Sequence, residues 1–178
     1  MSVTGDHPPA RIPWLQIGIE TFFVITGVLL ALAVDEWRQG RRDQQLVDLS
    51  IRNIREEIDS NRKEVRRALQ HHQELLALGE ERPKGVDFGT KPAIIRNNAW
   101  EAAQASQAAA KMDFTLVAAI SKMEEAQDTY QKLVGSALPL VYQNLSEGAR
   151  MSILYDLSYF ENMLLQVYDE TERVIAGV

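Results

Sequence analysis

Residues 12–34 have the sequence IPWLQIGIETFFVITGVLLALAV and contain a single charged side chain, Glu20. As an α-helix with a rise of about 1.5 Å per residue, this segment would be roughly 34 Å long, which is enough to cross a hydrocarbon core of about 30 Å. Trp14 near its start and Trp37 beyond its end suit the aromatic belts at the two membrane interfaces. We therefore predict a transmembrane helix at 12–34 that follows a flexible tail at 1–11.

Two other interpretations of this segment stay open. A buried helix of a soluble protein would normally have a polar face, whereas residues 21–34 contain no charge. A cleaved signal peptide would use the small-x-small sequence at 31–33, Ala-Leu-Ala. Against cleavage, Arg11 is the one basic residue before the apolar run, and Glu20 lies at its entrance. The sequence favours an uncleaved anchor.

One face of the predicted membrane helix combines Glu20, Gly27 and Ala31, which are related by steps of four and three residues through Val24. Gly27 and Ala31 form a small-xxx-small pair that allows a second helix to approach closely. An ionisable group at the depth of Glu20 favours a protein partner over lipid. We predict helix–helix contacts here, in a homo-oligomer or a larger membrane complex. The alternative is a snorkelling Glu20 beside a chance Gly/Ala pair.

The orientation in the membrane is predicted from basic residues. Arg38, Arg41 and Arg42 follow the helix, whereas Arg11 alone precedes it. Because positive residues are retained on the cytoplasmic side, this distribution favours a cytoplasmic C-terminal domain.

Beyond the anchor, the absence of proline predicts one long stalk helix at 35–80. Asn61 and His72 interrupt an otherwise apolar seam along it and are interpreted as polar residues that fix the register. The seam is covered either by a second copy in a coiled coil or by other helices of the same chain. Its members follow alternating steps of four and three: Val47, Ile51, Ile54, Ile58, Asn61, Val65, Ala68, His72 and Leu75.

The remaining sequence predicts a Pro/Gly-rich loop at 81–92 and a helical remainder at 93–178. Within that remainder we expect helices over 93–110, from an Asp113 N-cap to Val134, and after a capping box of Asn144 with Glu147. A break is expected at 135–143 because this segment contains Pro139. The predicted fold is all-α, with a single N-terminal transmembrane helix that continues into a long stalk helix and an antiparallel helical bundle.

Composition excludes several classes of function. The net charge of −6 is unsuited to general nucleic-acid binding, and the lack of cysteine excludes thiol chemistry and disulfides. His71 and His72 are adjacent, so they point about 100° apart on a helix and cannot chelate one metal from the same face. Because the phosphate-binding, metalloprotease and hydrolase motifs are also missing, we predict a non-enzymatic protein without cofactor or metal.

Two segments resemble those of a bacterial family of small, uncharacterised single-pass membrane proteins. The first is the anchor pattern E-x6-G-x3-A-L-x4-W, which begins at Glu20 and ends at Trp37. The second is the Trp-Glu-x-Ala-x-x-Ser segment that starts at Trp100 and Glu101 and ends at Ser106. The resemblance implies a bacterial inner-membrane protein with a helical domain and no assigned activity. Relatives often carry more basic residues before the anchor, which implies a domain outside the cytoplasm.

These observations lead to two functional hypotheses. In the first, the chain is a membrane-anchored scaffold, tether or accessory subunit that works by protein–protein contacts, with the lipid bilayer and a second copy or a larger complex as its partners. In the second, it is a sensor-like module that binds a small ligand between bundle helices near Trp100 and Glu101. The second hypothesis requires a pocket beside the tryptophan.

Overall fold

The computed structural model describes residues 14–79, 90–141 and 146–177. Within these ranges the chain is all-α, as predicted. Its helices are α1 (Trp14–Leu78), α2 (Asn98–Ala105), α3 (Phe114–Val141) and α4 (Glu147–Ala176), with a 3₁₀ turn at Ala109–Lys111 between α2 and α3. The chain divides into two compact units, Met1–Gln44 and Gln45–Val178, with the boundary inside α1.

The first unit consists, among its described residues, of α1 as far as Gln44, that is, the apolar run and the polar stretch that follows it. The described chain contains one helix that is long and apolar enough to cross a membrane, with a mean hydropathy of 2.3 in its most apolar window and none of that window buried. Large apolar side chains are exposed around the whole helix here, among them Phe22, Val24, Leu29 and Leu30. The predicted tail and the first residues of the predicted span lie outside the described residues.

In the second unit, α4 runs antiparallel to both α1 and α3. Arg62 and His72 of α1 pair with Glu172 and Glu161 of α4, respectively, so the numbering rises on one helix as it falls on the other. The same order relates α3 to α4, because Lys122 pairs with Glu170 and Tyr130 hydrogen bonds to Glu161. The predicted antiparallel bundle is therefore confirmed.

An extended segment at 90–97 and α2 return along the bundle before α3 begins. The amide of Ala93 donates to the hydroxyl of Tyr130, and the amide of Ala99 donates to Glu57 of α1. Tyr130 lies at the level of the C-terminal end of α1, whereas Glu57 lies nearer the middle of that helix. The segment from Ala93 to Ala99 therefore runs antiparallel to α1. This return lets α3 start beside the middle of α1 and run in the same direction as α1.

The heptad seam of α1 faces the core of its own chain. Its members from Ile54 to Leu75 are all buried, whereas Val47 and Ile51 are half-buried. Ile54, Ile58 and Val65 belong to one hydrophobic cluster with Leu116, Ile120 and other apolar residues of α3 and α4. Burial of one such aliphatic side chain contributes about 1.5–3 kcal/mol, so the seam is a principal source of stability for the bundle.

Two expectations about helix bounds were wrong. Of the predicted helix at 93–110, only Asn98–Ala105 forms an α-helix, because side chains of neighbouring helices satisfy the backbone of 93–97 in extended form. The predicted break at 135–143 is also absent as far as Val141, since α3 continues through Pro139. A proline removes one helical hydrogen bond. At Pro139, the carbonyl of Gly135 loses its helical donor. Gly135 is exposed, so this carbonyl can bind water.

Of the two helix N-caps predicted from the sequence, one is observed. Asp113 precedes α3, accepts a hydrogen bond from the amide of Thr115 at 2.7 Å, and has its pKa lowered by that bond. At α4, the cap is Ser146, whose hydroxyl accepts from the amide of Ala149 at 3.4 Å. The predicted capping residue Asn144 lies outside the described residues.

Candidate functional site

The predicted membrane contact face, Glu20, Gly27 and Ala31, lies in the exposed apolar part of α1. A Cβ atom added at Gly27 would meet nothing within 4 Å apart from its own helix backbone. Among the described residues, nothing covers the helix at Gly27, which leaves room there for another helix to approach. Its role in helix association stays a prediction.

A cationic surface follows the apolar run on the same helix. The guanidinium carbon of Arg41 lies 5.0 Å from the ring centroid of Trp37, which is a cation–π contact. Arg38 and Arg42 are exposed beside it. The sequence identified these arginines only as orientation signals; their contact with Trp37 emerges from the four-residue spacing on the helix.

Trp100 and Glu101 occupy opposite environments. The side chain of Trp100 is 3% exposed and belongs to the hydrophobic core together with Ile95 and Ala103, whereas Glu101 is exposed. The indole Nε1 is buried without a hydrogen-bond partner. The structure therefore gives Trp100 a packing role, and it does not bring the two side chains together in one site.

A buried polar network joins the three long helices to the returning segment. His72 Nδ1 lies 2.9 Å from one carboxylate oxygen of Glu161, and the hydroxyl of Tyr130 donates to the other at 2.9 Å. That hydroxyl in turn accepts from the amide of Ala93 at 2.9 Å. All three side chains are fully buried. Burial, with the nearby charge of Glu161 as the next cause, raises the pKa of Tyr130 far above its usual range.

A second set of polar side chains holds the returning segment along its length. Asn61 bonds to both backbone groups of Arg96, and Gln131 Nε2 donates to the carbonyl of Ile95 at 3.2 Å. The carboxylate of Glu57 accepts from the amide of Ala99 at 3.1 Å. Burial raises the pKa of Glu57, although this hydrogen bond acts in the opposite direction. The function of the set is structural, because its partners are backbone groups of the same chain.

At the other end of the α1–α4 contact, Arg62 pairs with three acidic side chains. Its guanidinium contacts Glu172, lies 3.2 Å from Asp169, and is 3.1 Å from Asp59. Burial opposes the charge of Arg62, but the hydrogen bond to Glu172 and the charges of Glu172, Asp169 and Asp59 together outweigh it, so the pKa of Arg62 is raised. This cluster fixes α4 against α1 by charge.

Among the surface grooves that the described residues line, two are open and contain charged side chains. One, of about 330 Å³, includes Glu124, Glu125 and Asp128 of α3; the other, of about 280 Å³, lies between His71 of α1 and Lys91 of the returning segment. Trp100 lines neither of them. Within the described residues, no group of three or more His, Cys, Asp or Glu side chains is placed to hold a metal ion.

Comparisons of the chain with family models, with curated proteins and with solved structures gave no match. Its function is therefore inferred from its own residues.

Proposed function

We propose that this chain is a membrane-anchored helical scaffold, tether or accessory subunit of a membrane protein complex, working through protein–protein contacts. The observation that carries the proposal is the apolar part of α1, whose large side chains are exposed on every side. Such a surface is stable in a bilayer and unstable in water, because burying apolar area is the main favourable term in folding and association. The resemblance to bacterial single-pass proteins supports the inner membrane as the location.

The bundle supports an interaction role over a catalytic one. Its buried titratable side chains have partners within the chain, as in the Glu161 network and the Arg62 cluster. Groups held in this way contribute to the fold, which favours a structural role for them. We infer that the bundle presents its surface to a partner protein while the anchor holds it at the membrane.

Site-specific photo-crosslinking in cells tests the assembly face. A crosslinking residue at Ala31 lies on the face of Gly27, whereas one at Leu29 points about 160° away and serves as the matched control. We expect one stoichiometric adduct from position 31 and none from position 29. A partner of different mass identifies an accessory subunit, and a doubled mass identifies a homo-oligomer. Equal adducts from both positions, or no adduct from either, would contradict the proposed face.

Membrane insertion and sidedness are measured separately. Resistance of the full chain to alkaline carbonate extraction is the expected result, and release into the soluble fraction would refute the anchor. Because the chain has no cysteine, a single exposed Ser60→Cys variant reports the side of the bundle through a membrane-impermeant maleimide. We expect protection in intact cells, in agreement with a cytoplasmic bundle.

A second candidate function is the sensor-like module that binds a small ligand near Trp100. The observation that favours it is the buried, unpartnered Nε1 of that residue, since a buried donor normally has an acceptor; against it, Trp100 is packed in the core and lines neither of the two grooves. A ligand that accepts from Nε1 would raise the melting temperature of the parent chain and leave that of Trp100→Phe unchanged. A thermal-shift screen on both proteins in detergent distinguishes the candidates.

A further inference from the structure

Immediately after the apolar run of α1, aromatic and basic residues are concentrated in less than two helical turns. The run ends at Val34, Trp37 follows with a relative exposure of 61%, and Arg38, Arg41 and Arg42 are all exposed. If the apolar run spans a bilayer, as proposed above, this is the depth of the lipid headgroups, where tryptophan and arginine are both favoured.

The three arginines share one side of the helix with the tryptophan. At about 100° per residue, and measured from Trp37, Arg41 lies at about 40°, Arg38 at about 100° and Arg42 at about 140°. The acidic residues Glu36 and Asp43 fall on the opposite side, at about 260° and 240°. Asp35, at about 160°, borders the edge of the cationic side. Two of the three acidic residues are therefore separated from the arginines around the helix, while Asp35 adjoins Arg42 and the charges of the segment sum to zero.

The contact between Arg41 and Trp37 orients one of these cations. With its guanidinium carbon 5.0 Å from the ring centroid, Arg41 is held over an aromatic ring that itself suits the interface. A guanidinium that contacts a ring still has N–H donors along its edge, and that edge matches two oxygens of a phosphate. Arg38 and Arg42 supply further donors on the same side.

We infer that Trp37, Arg38, Arg41 and Arg42 form a binding site for the phosphate headgroup of an anionic phospholipid. The arginines bind the phosphodiester, while the lipid's acyl chains lie along the apolar residues that precede Trp37. Free phosphate offers the same oxygens without the acyl chains, so it binds much more weakly. This inference rests on the proposed membrane anchor, because only an inserted helix places these residues among headgroups.

Native mass spectrometry of the full chain in mild detergent, mixed with equal amounts of phosphatidylglycerol and phosphatidylcholine, tests the site. We expect the parent chain to retain the anionic lipid preferentially. The triple variant R38Q/R41Q/R42Q should lose this preference by tenfold or more, since each basic residue at an anionic surface contributes on the order of fivefold. The matched control, R52Q/K63Q/R66Q, removes as many positive charges from exposed positions further along α1 and should retain it.

Equal retention of the two lipids by the parent chain, or an equal loss in the control variant, would overturn the site. Displacement of the lipid by inorganic phosphate would assign the arginines to a soluble anion and would also overturn it. Carbonate extraction of the same proteins distinguishes a failure of the headgroup site from a failure of the membrane anchor. If the parent chain resists extraction but shows no lipid preference, the anchor stands and the headgroup site fails; if the parent chain is extracted, the anchor itself fails.

Discussion

Asn61 of α1 forms a pair of hydrogen bonds with the backbone of Arg96. Its Nδ2 donates to the carbonyl oxygen at 2.7 Å, and its Oδ1 accepts from the amide at 3.1 Å. The side-chain amide thus takes the place that a neighbouring strand would have beside the extended segment at 90–97. Because Asn61 is buried, this pair fixes the path of the returning segment across α1.

The substitution Asn61→Leu distinguishes this arrangement from a two-chain coiled coil. Leucine at a seam position stabilises a coiled coil, but here it leaves both backbone groups of Arg96 without their partner. We expect the free energy of unfolding to fall by about 1–3 kcal/mol, measured by urea unfolding of the full chain in detergent. Asn53→Leu, the same change at an exposed position of α1, should have little effect. A stabilised Asn61→Leu variant would contradict the assignment.

Tyr130→Phe removes one oxygen that serves two hydrogen bonds. The hydroxyl donates to Glu161 and accepts from the amide of Ala93, so the variant leaves a buried acceptor and a backbone donor unpaired. We expect a loss of about 1–3 kcal/mol and faster hydrogen exchange of the amides at 93–97. Tyr155→Phe, at a side chain exposed to solvent, should change stability by less than about 0.5 kcal/mol. Equal effects of the two substitutions would show that the buried hydroxyl contributes nothing.

The seam of α1 was predictable because a helix that buries one face has apolar residues at regular steps of three and four along its sequence. The same period marked Asn61 and His72 as exceptions, and both are buried polar residues with specific partners. Their partners were not predictable. Glu161 does occupy a core position, four residues after Leu157, but a single glutamate in a helix is usually solvent-exposed.

The returning segment was the part of the bundle that sequence patterns described least well. The alanine-rich composition of 93–110 favours a helix, but its alanines lie mainly beyond Asn97, and residues 93–97 include the β-branched pair Ile94 and Ile95. The hydrogen bonds that hold 93–97 outside a helix come from side chains distant in the chain, such as Asn61 and Tyr130, and such tertiary contacts leave no local signal. The adjacent residues Trp100 and Glu101 lie in different environments for a simpler reason, since the side chains of neighbours on a helix point about 100° apart.

Replacing Glu161 by leucine should be the most destabilising single change in the network. It leaves the hydroxyl of Tyr130 buried without its acceptor and removes the carboxylate oxygen that lies 2.9 Å from Nδ1 of His72; each buried polar group left unpaired costs about 1–3 kcal/mol. The triple variant H72L/Y130F/E161L removes both of these side-chain groups and leaves the amide of Ala93 as the group without its partner, so we expect it to be more stable than Glu161→Leu alone. Urea unfolding measures both. A triple variant less stable than the single one would mean that packing, and not hydrogen bonding, determines the role of Glu161.

The buried tyrosines make the bundle sensitive to alkali. Burial raises the pKa of Tyr168 to about 12, despite lowering contributions from Gln127 and Asn61, whereas an unfolded tyrosine titrates near pH 10. Between about pH 10 and 12 the unfolded chain has lost a proton that the folded chain still holds, so the free energy of unfolding falls as the pH rises. The contribution is complete below about pH 10 and is lost towards pH 12. Urea unfolding from about pH 8.5 to 11 should show a shallower fall for Tyr168→Phe than for the parent chain and Tyr155→Phe; equal slopes in all three would contradict the assignment.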